Sequence, residues 1–304
     1  AGAGNDTINI PDTTNINLDQ VISGGTGANN ITMSAASTGI DDNDFDNLTL
    51  VQTFNLANGT NTAVFGAKAT AAGIVNVNGG TGADTITTGA GSQTIVGGAG
   101  ADVINAGAGV DNITLNAGTG SGVADGADDV ILSDIVTGAA AVEVNTIADF
   151  SVSGTGGIDQ LGKLSVGDIG GVVTLTVMKL ATTDVANTNA VAVSAAANVA
   201  AAYDLENAGN GKNILLTSGN YSGAAALQVD VRANVLAATA TTAAEGFLIA
   251  WDNGVDTTIG YVDYDAVEAN GDAIDAATVV ALITLTGLAD NTTLVDGNFL
   301  NFIA

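Results

Sequence analysis

The 304-residue chain has no cysteine, no histidine and a single proline. Without thiols there is no disulfide and no thiolate metal site, so any constraint on the fold beyond packing must come from elsewhere. Without imidazole, Ser-His-Asp and Cys-His catalysis, H-E-x-x-H zinc sites and histidine acid–base chemistry are excluded. A pair of carboxylates remains competent for glycoside hydrolysis. Glutamate, however, is confined to Glu143, Glu206, Glu245 and Glu268, none in a recognisable catalytic setting, and no enzymatic activity is expected. Basic residues are nearly absent: 5 Lys and Arg stand against 32 Asp and Glu, a net charge of −27. That balance excludes a nucleic-acid surface, argues against anionic membranes, and makes divalent cations the natural partner. Aromatic residues make up only 4% of a chain that is 46% hydrophobic, so Ala, Val, Ile and Leu must supply the core. No apolar run reaches the ~18 residues of a membrane-spanning helix.

What is abundant is glycine, 41 residues of it, and much of it is periodic. Residues 79–114 read as four nine-residue units in unbroken register: GGTGADTIT, TGAGSQTIV, GGAGADVIN and AGAGVDNIT. Each has Gly at its second and fourth positions and Ile at its eighth. Glycine accepts positive φ without a side-chain penalty, so the first six residues of a unit suit a sharp turn with carbonyls facing inward. The last three, centred on a β-branched residue, suit a short strand. Each unit is then half a coil and two units make a coil of 18 residues. Stacked coils form two parallel sheets with Ile86, Ile95, Ile104 and Ile113 in a shared core.

The chemistry depends on which units stack. Units two apart lie on the same edge, which places the turn of Gly79, Gly80, Gly82 and Asp84 over that of Gly97, Gly98, Gly100 and Asp102. At a strand spacing of about 4.8 Å, two such carboxylates repel by roughly 3 kcal/mol at an effective dielectric near 20 unless a cation lies between them. Carboxylate and carbonyl oxygens form a hard-cation set that favours Ca²⁺ over Mg²⁺. The opposite edge pairs Gln93 with the turn of Gly107, Gly109 and Asp111; it has one carboxylate fewer, and weaker binding is expected there. The stretch from residue 69 to 162 contains no basic residue.

Degenerate units occur elsewhere. AGAGNDTIN at 1–9 keeps the register with Asp6, GGTGANNIT at 24–32 has Asn29 at the aspartate position, and Gly126-Ala127-Asp128-Asp129-Val130 keeps a shortened core. Asp6 and Asp128 therefore join the candidate metal ligands. The chain opens inside a repeat with no charged-then-apolar leader, as expected of the C-terminal portion of a longer protein. Three regions follow: 1–78, a strand-rich segment with degenerate repeats; 79–135, the roll; and 136–304, a β-rich C-terminal region. The fold class expected is mainly all-β, a calcium-binding parallel β-roll or β-solenoid followed by β-structure with short helices.

Within the first region, Leu48, Leu50, Phe54 and Leu56 share one parity and read as a half-buried strand or pair of strands. The acidic run Asp41 to Asp46 invites an EF-hand reading, but Asn47 and Thr53 stand where the loop needs Gly and Glu. A solvated acidic loop is the expectation, with an irregular calcium site as the alternative. Beyond the roll, Ile147-Ala148-Asp149-Phe150 and Gly157-Ile158-Asp159 form a strand-and-turn exit. Ala-rich stretches at 190–203 and 233–244 read as helices. Phe247–Trp251 and Thr257–Tyr264, joined by Asp252-Asn253-Gly254, read as a hairpin, and Val279–Thr286 as a further strand. Trp251, Tyr261 and Tyr264 are expected to pack in the core and hairpin rather than to stack on sugars.

Residues 79–114 resemble the glycine- and aspartate-rich nonapeptide repeats of RTX proteins exported by type I secretion. The I-A-D-F and G-I-D exit is similar to the strand that closes such rolls. FLIAWDNGVDTTIGYVD, VVALITLTGL and the uncharged FLNFIA end resemble the C-terminal region of Caulobacter-type S-layer proteins, as do the Thr/Ala/Asn-rich composition and NLTLVQTFNLANG. Gln93 and Asn29 depart from the repeat pattern. The resemblance implies a chain that stays unfolded in a low-calcium cytoplasm. It would leave C-terminus first through the type I secretion machinery and fold in millimolar extracellular calcium. Its partners would be other copies of itself in a lattice on the bacterial cell surface and, through regions outside this segment, a cell-surface glycan or lipopolysaccharide. The rival class is the secretion and folding tail of an exported protease, lipase or adhesin.

Overall fold

A computed structural model describes residues 1–11, 21–116, 126–131, 144–152, 157–164, 203–204, 214–236, 245–264, 277–295 and 298–303. They fall into two compact units, one formed by 1–134 with 147–160 and the other by 135–146 with 161–304.

The first unit is a parallel stack. Strands Thr7–Ile10, Asn30–Met33, Thr53–Asn55, Asn76–Asn78, Thr94–Val96 and Asn112–Thr114 pair consecutively in one sheet, and Thr62–Phe65, Thr85–Thr88, Val103–Asn105 and Asp129–Ile131 in a second. Parallel pairing requires a crossover, and here the crossover is the other half of the coil. The register is set by the apolar residue at the middle of each strand. Ile31, Phe54, Val77, Ile95 and Ile113 pair in one sheet, Ala63, Ile86, Ile104 and Val130 in the other, and all are fully buried. Each large apolar side chain so buried stabilises the stack by about 1.5–3 kcal/mol. The four expected core isoleucines are among them.

Coil length changes along the stack. Equivalent residues are 18 apart through the four perfect units, as their spacing predicts, but 23 apart upstream. The boundary expected at 78/79 therefore lies inside one continuous pair of sheets. The added residues fold locally into a short turn of helix at Asp42–Phe45 and a helix at Ala67–Ala72, which ends at Gly73 with φ 101°. They also make room for aromatics: Phe45, Phe54 and Phe65 cluster with ring centroids 5.2–5.5 Å apart.

Of the two readings of residues 48–56, one strand or a pair of strands, the pair is what forms. Leu48–Thr49 and Thr53–Asn55 are separate strands, and between them Leu50 takes φ 56° and is 52% exposed. Leu50 occupies the turn position that Gly4, Gly27, Gly73, Gly91 and Gly109 fill in neighbouring coils, all at positive φ. A chain that reverses there cannot maintain the alternation of a strand.

In the second unit, Glu245–Asp252 and Thr257–Tyr264 form the expected antiparallel hairpin, with Asp252 opposite Thr257. Thr278–Thr286 pairs antiparallel with its second strand and Ile214–Asn220 parallel with its first. Trp251 and Tyr261 are buried, and the Trp251 ring lies against Gly260, where a methyl group would collide with it at 2.6 Å. Of the helix expected at 233–244, residues 237–244 lie outside the described residues, and a described helix stands just upstream. It runs Ala224–Asn234, where Ala, Leu, Gln and Arg favour helix, and gives way to a strand at Val235–Leu236. Residues 190–202, expected to be helical, lie outside the described residues.

Candidate metal centre

Each strand of the stack is preceded by the sixth residue of its turn, and that residue's side chain reaches toward the coil before it. Along the edge leading into the second sheet these residues are Asn61, Asp84, Asp102, Asp128 and Asp159. The backbone N–H of each donates to a side-chain oxygen of the next: Asn61 to Asp84 Oδ1 at 2.7 Å, Asp84 to Asp102 Oδ1 at 2.8 Å, Asp102 to Asp128 Oδ1 at 2.7 Å and Asp128 to Asp159 Oδ1 at 3.0 Å. All five side chains are buried. Hydrogen bonds from N–H to carboxylate are charge-assisted, and Asp159 takes a second one, from the Ser151 N–H to its Oδ2 at 2.7 Å.

The opposite edge carries Asp6, Asn29, Gln52, Val75, Gln93 and Asp111. The Asp6 N–H donates to Asn29 Oδ1 at 3.0 Å, that of Asn29 to Gln52 Oε1 at 2.8 Å, and that of Gln93 to Asp111 Oδ1 at 2.8 Å. The sequence of rungs breaks at Val75, which has no side-chain oxygen and whose own N–H turns back to Gln52 O at 3.0 Å. Gln93 Oε1 is left buried without a hydrogen bond. Asp6, half-buried at the start of the stack, also accepts from the Gly2 N–H at 3.2 Å.

The glycines hold these turns closed. Gly98 and Gly100 lie at φ 110° and 135°, and a β-carbon on either would run into the carbonyl of Gly80 or Gly82 in the coil below. The Gly82 N–H donates to Ala99 O at 2.6 Å and the Ala99 N–H to Gly80 O at 2.9 Å. Gly79 and Gly97 approach the second carboxylate oxygens. A β-carbon on Gly79 would sit 2.8 Å from Asp84 Oδ2, and one on Gly97 2.7 Å from Asp102 Oδ2. Gly107 and Gly109, at φ 72° and 128°, shape the Asp111 turn in the same way.

Asp84 Oδ2 is buried and makes no hydrogen bond. Burial pushes the Asp84 carboxyl up, only partly opposed by the Asn61 side-chain and backbone hydrogen bonds. Leaving a carboxylate oxygen unsatisfied out of water costs several kcal/mol unless a proton or a cation compensates. Among the described residues no three Asp, Glu, His or Cys side chains converge. A cation here would therefore draw on one or two carboxylates plus turn carbonyls. Such an all-oxygen set fits a hard cation with a flexible coordination number, and Ca²⁺ satisfies it better than Mg²⁺. The residues that fit are Asp84 and Asp102 with the carbonyls of Gly80, Gly82 and Gly97; Asp102 and Asp128 stand in the same relation one coil on.

The acidic run near residue 41 is committed otherwise. Asp41 Oδ1 accepts from the Asn43 N–H at 2.7 Å, both Asp42 oxygens accept from the N–H of Lys68 at 3.1 Å, and Asp46 pairs with the Lys68 ammonium at 2.7 Å. Those carboxylates cap backbone and meet a cationic side chain, as a loop rather than an EF-hand would.

Sequence reasoning stacked Asp84 on Asp102 and took Asp128 as a separate candidate ligand without an edge; the structure adds Asp128 to that edge, together with Asn61 and Asp159, which the sequence reading did not consider as ligands. Gly59-Thr60-Asn61-Thr62-Ala63 and Gly157-Ile158-Asp159-Gln160-Leu161 preserve the short pattern of Gly, any residue, Asn or Asp, any residue, apolar. The same pattern pointed to Asp128.

The stack and its edges thus define a calcium-binding parallel β-roll. Residues 76–92 and 87–121 match the family described as RTX calcium-binding nonapeptide repeat (4 copies), and these repeats bind calcium. No curated protein and no solved structure matches the chain.

Proposed function

We propose that this chain is the calcium-organised part of a secreted structural protein of the bacterial cell surface, a surface-layer subunit without catalytic activity. Ions held at Asp84, Asp102, Asp128 and, more weakly, Asp111 and Asp6 would complete its fold and promote its assembly. The observation that carries this reading is the edge of stacked buried carboxylates, with Asp84 Oδ2 unsatisfied and no basic residue between 69 and 162. In the millimolar calcium outside a cell the ion's binding free energy becomes folding free energy. In a low-calcium cytoplasm the carboxylates oppose folding, a state compatible with export through a type I channel.

Assembly is supported by a second observation. The outer face of the first sheet carries no charge in a chain of net charge −27. It presents rows of Asn and Thr that bond across strands, Asn78 to Asn55 at 2.6 Å and Asn55 to Thr32 at 3.1 Å. Salt screens carboxylates only beyond about 8 Å, so copies approach most readily through such a face or through bridging calcium. A cell-surface glycan or lipopolysaccharide remains the proposed anchoring partner, through regions outside this segment. Light scattering and electron microscopy across a calcium titration test the reading. Ordered assemblies at millimolar calcium are expected; a chain that folds there but stays monomeric would point to the secretion tail of an exported effector.

A further inference from the structure

Two residues at the sixth turn position are asparagines, and their amides make bonds that a carboxylate cannot. Asn29 Nδ2 donates to Gly25 O at 3.2 Å and Gly27 O at 3.3 Å in its own turn, and to Leu50 O at 2.9 Å in the next coil. Asn61 Nδ2 donates to Ala57 O at 2.8 Å and Gly59 O at 2.9 Å in its own turn, and to Asp84 Oδ1 at 2.8 Å in the next coil. The pattern is the same on both edges: the second and fourth carbonyls of the turn, and one oxygen from the coil that follows.

The aspartate turns have the same frame with the donor removed. A β-carbon on Gly24 would meet Asn29 Nδ2 at 2.6 Å, and the corresponding β-carbons on Gly79 and Gly97 would meet Asp84 Oδ2 and Asp102 Oδ2 at 2.8 and 2.7 Å. The carboxylate oxygen thus stands where the amide nitrogen stands. The Asn29 turn backbone agrees as well, with φ 82° and 125° at Gly25 and Gly27 against 103° and 111° at Gly80 and Gly82 and 110° and 135° at Gly98 and Gly100; the Asn61 turn shares the fourth position, Gly59 at 111°, while its second is Ala57. Where the asparagine turn gathers three oxygens around an N–H₂ group, the Asp84 turn gathers oxygens around another oxygen, which has no hydrogen bond.

We propose that Asn29 and Asn61 replace the calcium ion in their coils, dividing one continuous stack into a metal-independent block, residues 21–78, and a calcium-dependent block from Gly79 to Leu115. The neutral amide supplies from within the chain the positive end that the aspartate turns must take from solution. The inference rests on the calcium reading of the aspartate turns given above, and adds where that dependence stops.

Hydrogen exchange on the full chain, in millimolar calcium and in excess chelator, separates the two blocks. Chelator is expected to lower protection of Thr94–Val96, Val103–Asn105 and Asn112–Thr114 by at least about tenfold, and to leave Asn30–Met33, Thr53–Asn55 and Thr62–Phe65 within about twofold. Comparable loss in both groups overturns the proposal; no loss in either overturns the calcium reading beneath it. Substitution at Asn61 gives the second arm. Asn61→Asp is expected to keep Thr62–Phe65 protected in calcium and lose that protection in chelator, whereas Asn61→Ala loses it in both. If Asn61→Asp and Asn61→Ala are indistinguishable in calcium, the amide is not standing in for the ion.

Discussion

The coils closed by Asn29 and Asn61 and those closed by Asp84 and Asp102 share parallel strand pairing, a glycine at positive φ in the fourth turn position and buried apolar centres, and differ at the sixth position by an exchange of an N–H₂ group for an oxygen. Amide and carboxylate are nearly the same size, so packing does not distinguish them. Their hydrogen-bonding roles are opposite: one donates to the turn carbonyls, the other can only repel them. A single isosteric choice at the sixth position therefore decides whether a coil closes on its own or waits for a component of the medium. The wider asparagine coils add to this contrast, because their extra residues bring in the Phe45, Phe54 and Phe65 cluster that the 18-residue coils have no room for.

The most severe way to break the contrast is to remove the aromatic centre of the wide coils. Phe54→Ala empties a fully buried site between Phe45 and Phe65 and should cost about 3–5 kcal/mol, with the same fall in urea midpoint whether calcium or chelator is present. A loss seen only in chelator would mean that the wide coils also depend on metal.

Next in size, Asp102→Ala and Asp111→Ala each remove the acceptor of one backbone N–H, from Asp84 and Gln93 respectively, at a cost of about 1–3 kcal/mol. In chelator the two should be alike. In calcium Asp102→Ala should lose more, because its edge stacks carboxylate on carboxylate while the other pairs Asp111 with an amide. Calorimetry that finds equal losses of calcium affinity would remove the asymmetry between edges.

Acidity offers a reversible test. Burial holds the Asp84 carboxyl above its ordinary 3.8, so the metal-free fold binds a proton more readily than the unfolded chain. The stability added by that proton is fully present below the unfolded value and is lost as pH rises through the raised folded value. In chelator the coil closed by Asp84 should therefore gain stability as pH is lowered toward about 4; in calcium, protons displace the ion and the slope should reverse. Parallel pH profiles of urea midpoint in the two media would show that the carboxylate does not govern this coil. The smallest expected effect is at Leu50, which bears a left-handed φ of 56° while half exposed. Leu50→Gly should stabilise the wide coils by about 1 kcal/mol, read as a raised urea midpoint independent of calcium.

Much of this was legible in the sequence wherever the repeat is perfect. Between Gly79 and Thr114 glycine marks each turn and isoleucine each strand, and the stacking of Asp84 on Asp102 and of Gln93 on Asp111 follows from counting. Upstream, the inserted five residues hide the period, and Leu50 at a glycine position turns a reversal into an apparent continuation of a strand. Asn61 escaped notice because its unit has lost its first glycines, and because an amide attracts no attention in a search for cation ligands. The helix at Ala224–Asn234 was not read from the sequence because alanine content alone drew attention to the stretch that follows it, although Leu227, Gln228 and Arg232 favour helix as well.

The interruption at Val75 has a mechanical consequence. It falls where 23-residue coils give way to 18-residue coils, and there the edge loses its side-chain rung while Gln93 Oε1 goes unsatisfied. Strands lie across the stacking direction, so tension along it opens the interfaces in succession, like a zipper, and the weakest yields first. This edge is weakest around Val75, where neither the Gln52 N–H nor the Val75 N–H finds a side-chain oxygen in the coil that follows and both turn back to carbonyls. In single-molecule stretching the first rupture should fall beside Val75, releasing the coils as two mechanical segments, and Val75→Gln, which offers the Gln52 N–H a side-chain acceptor, should raise the force at which it occurs.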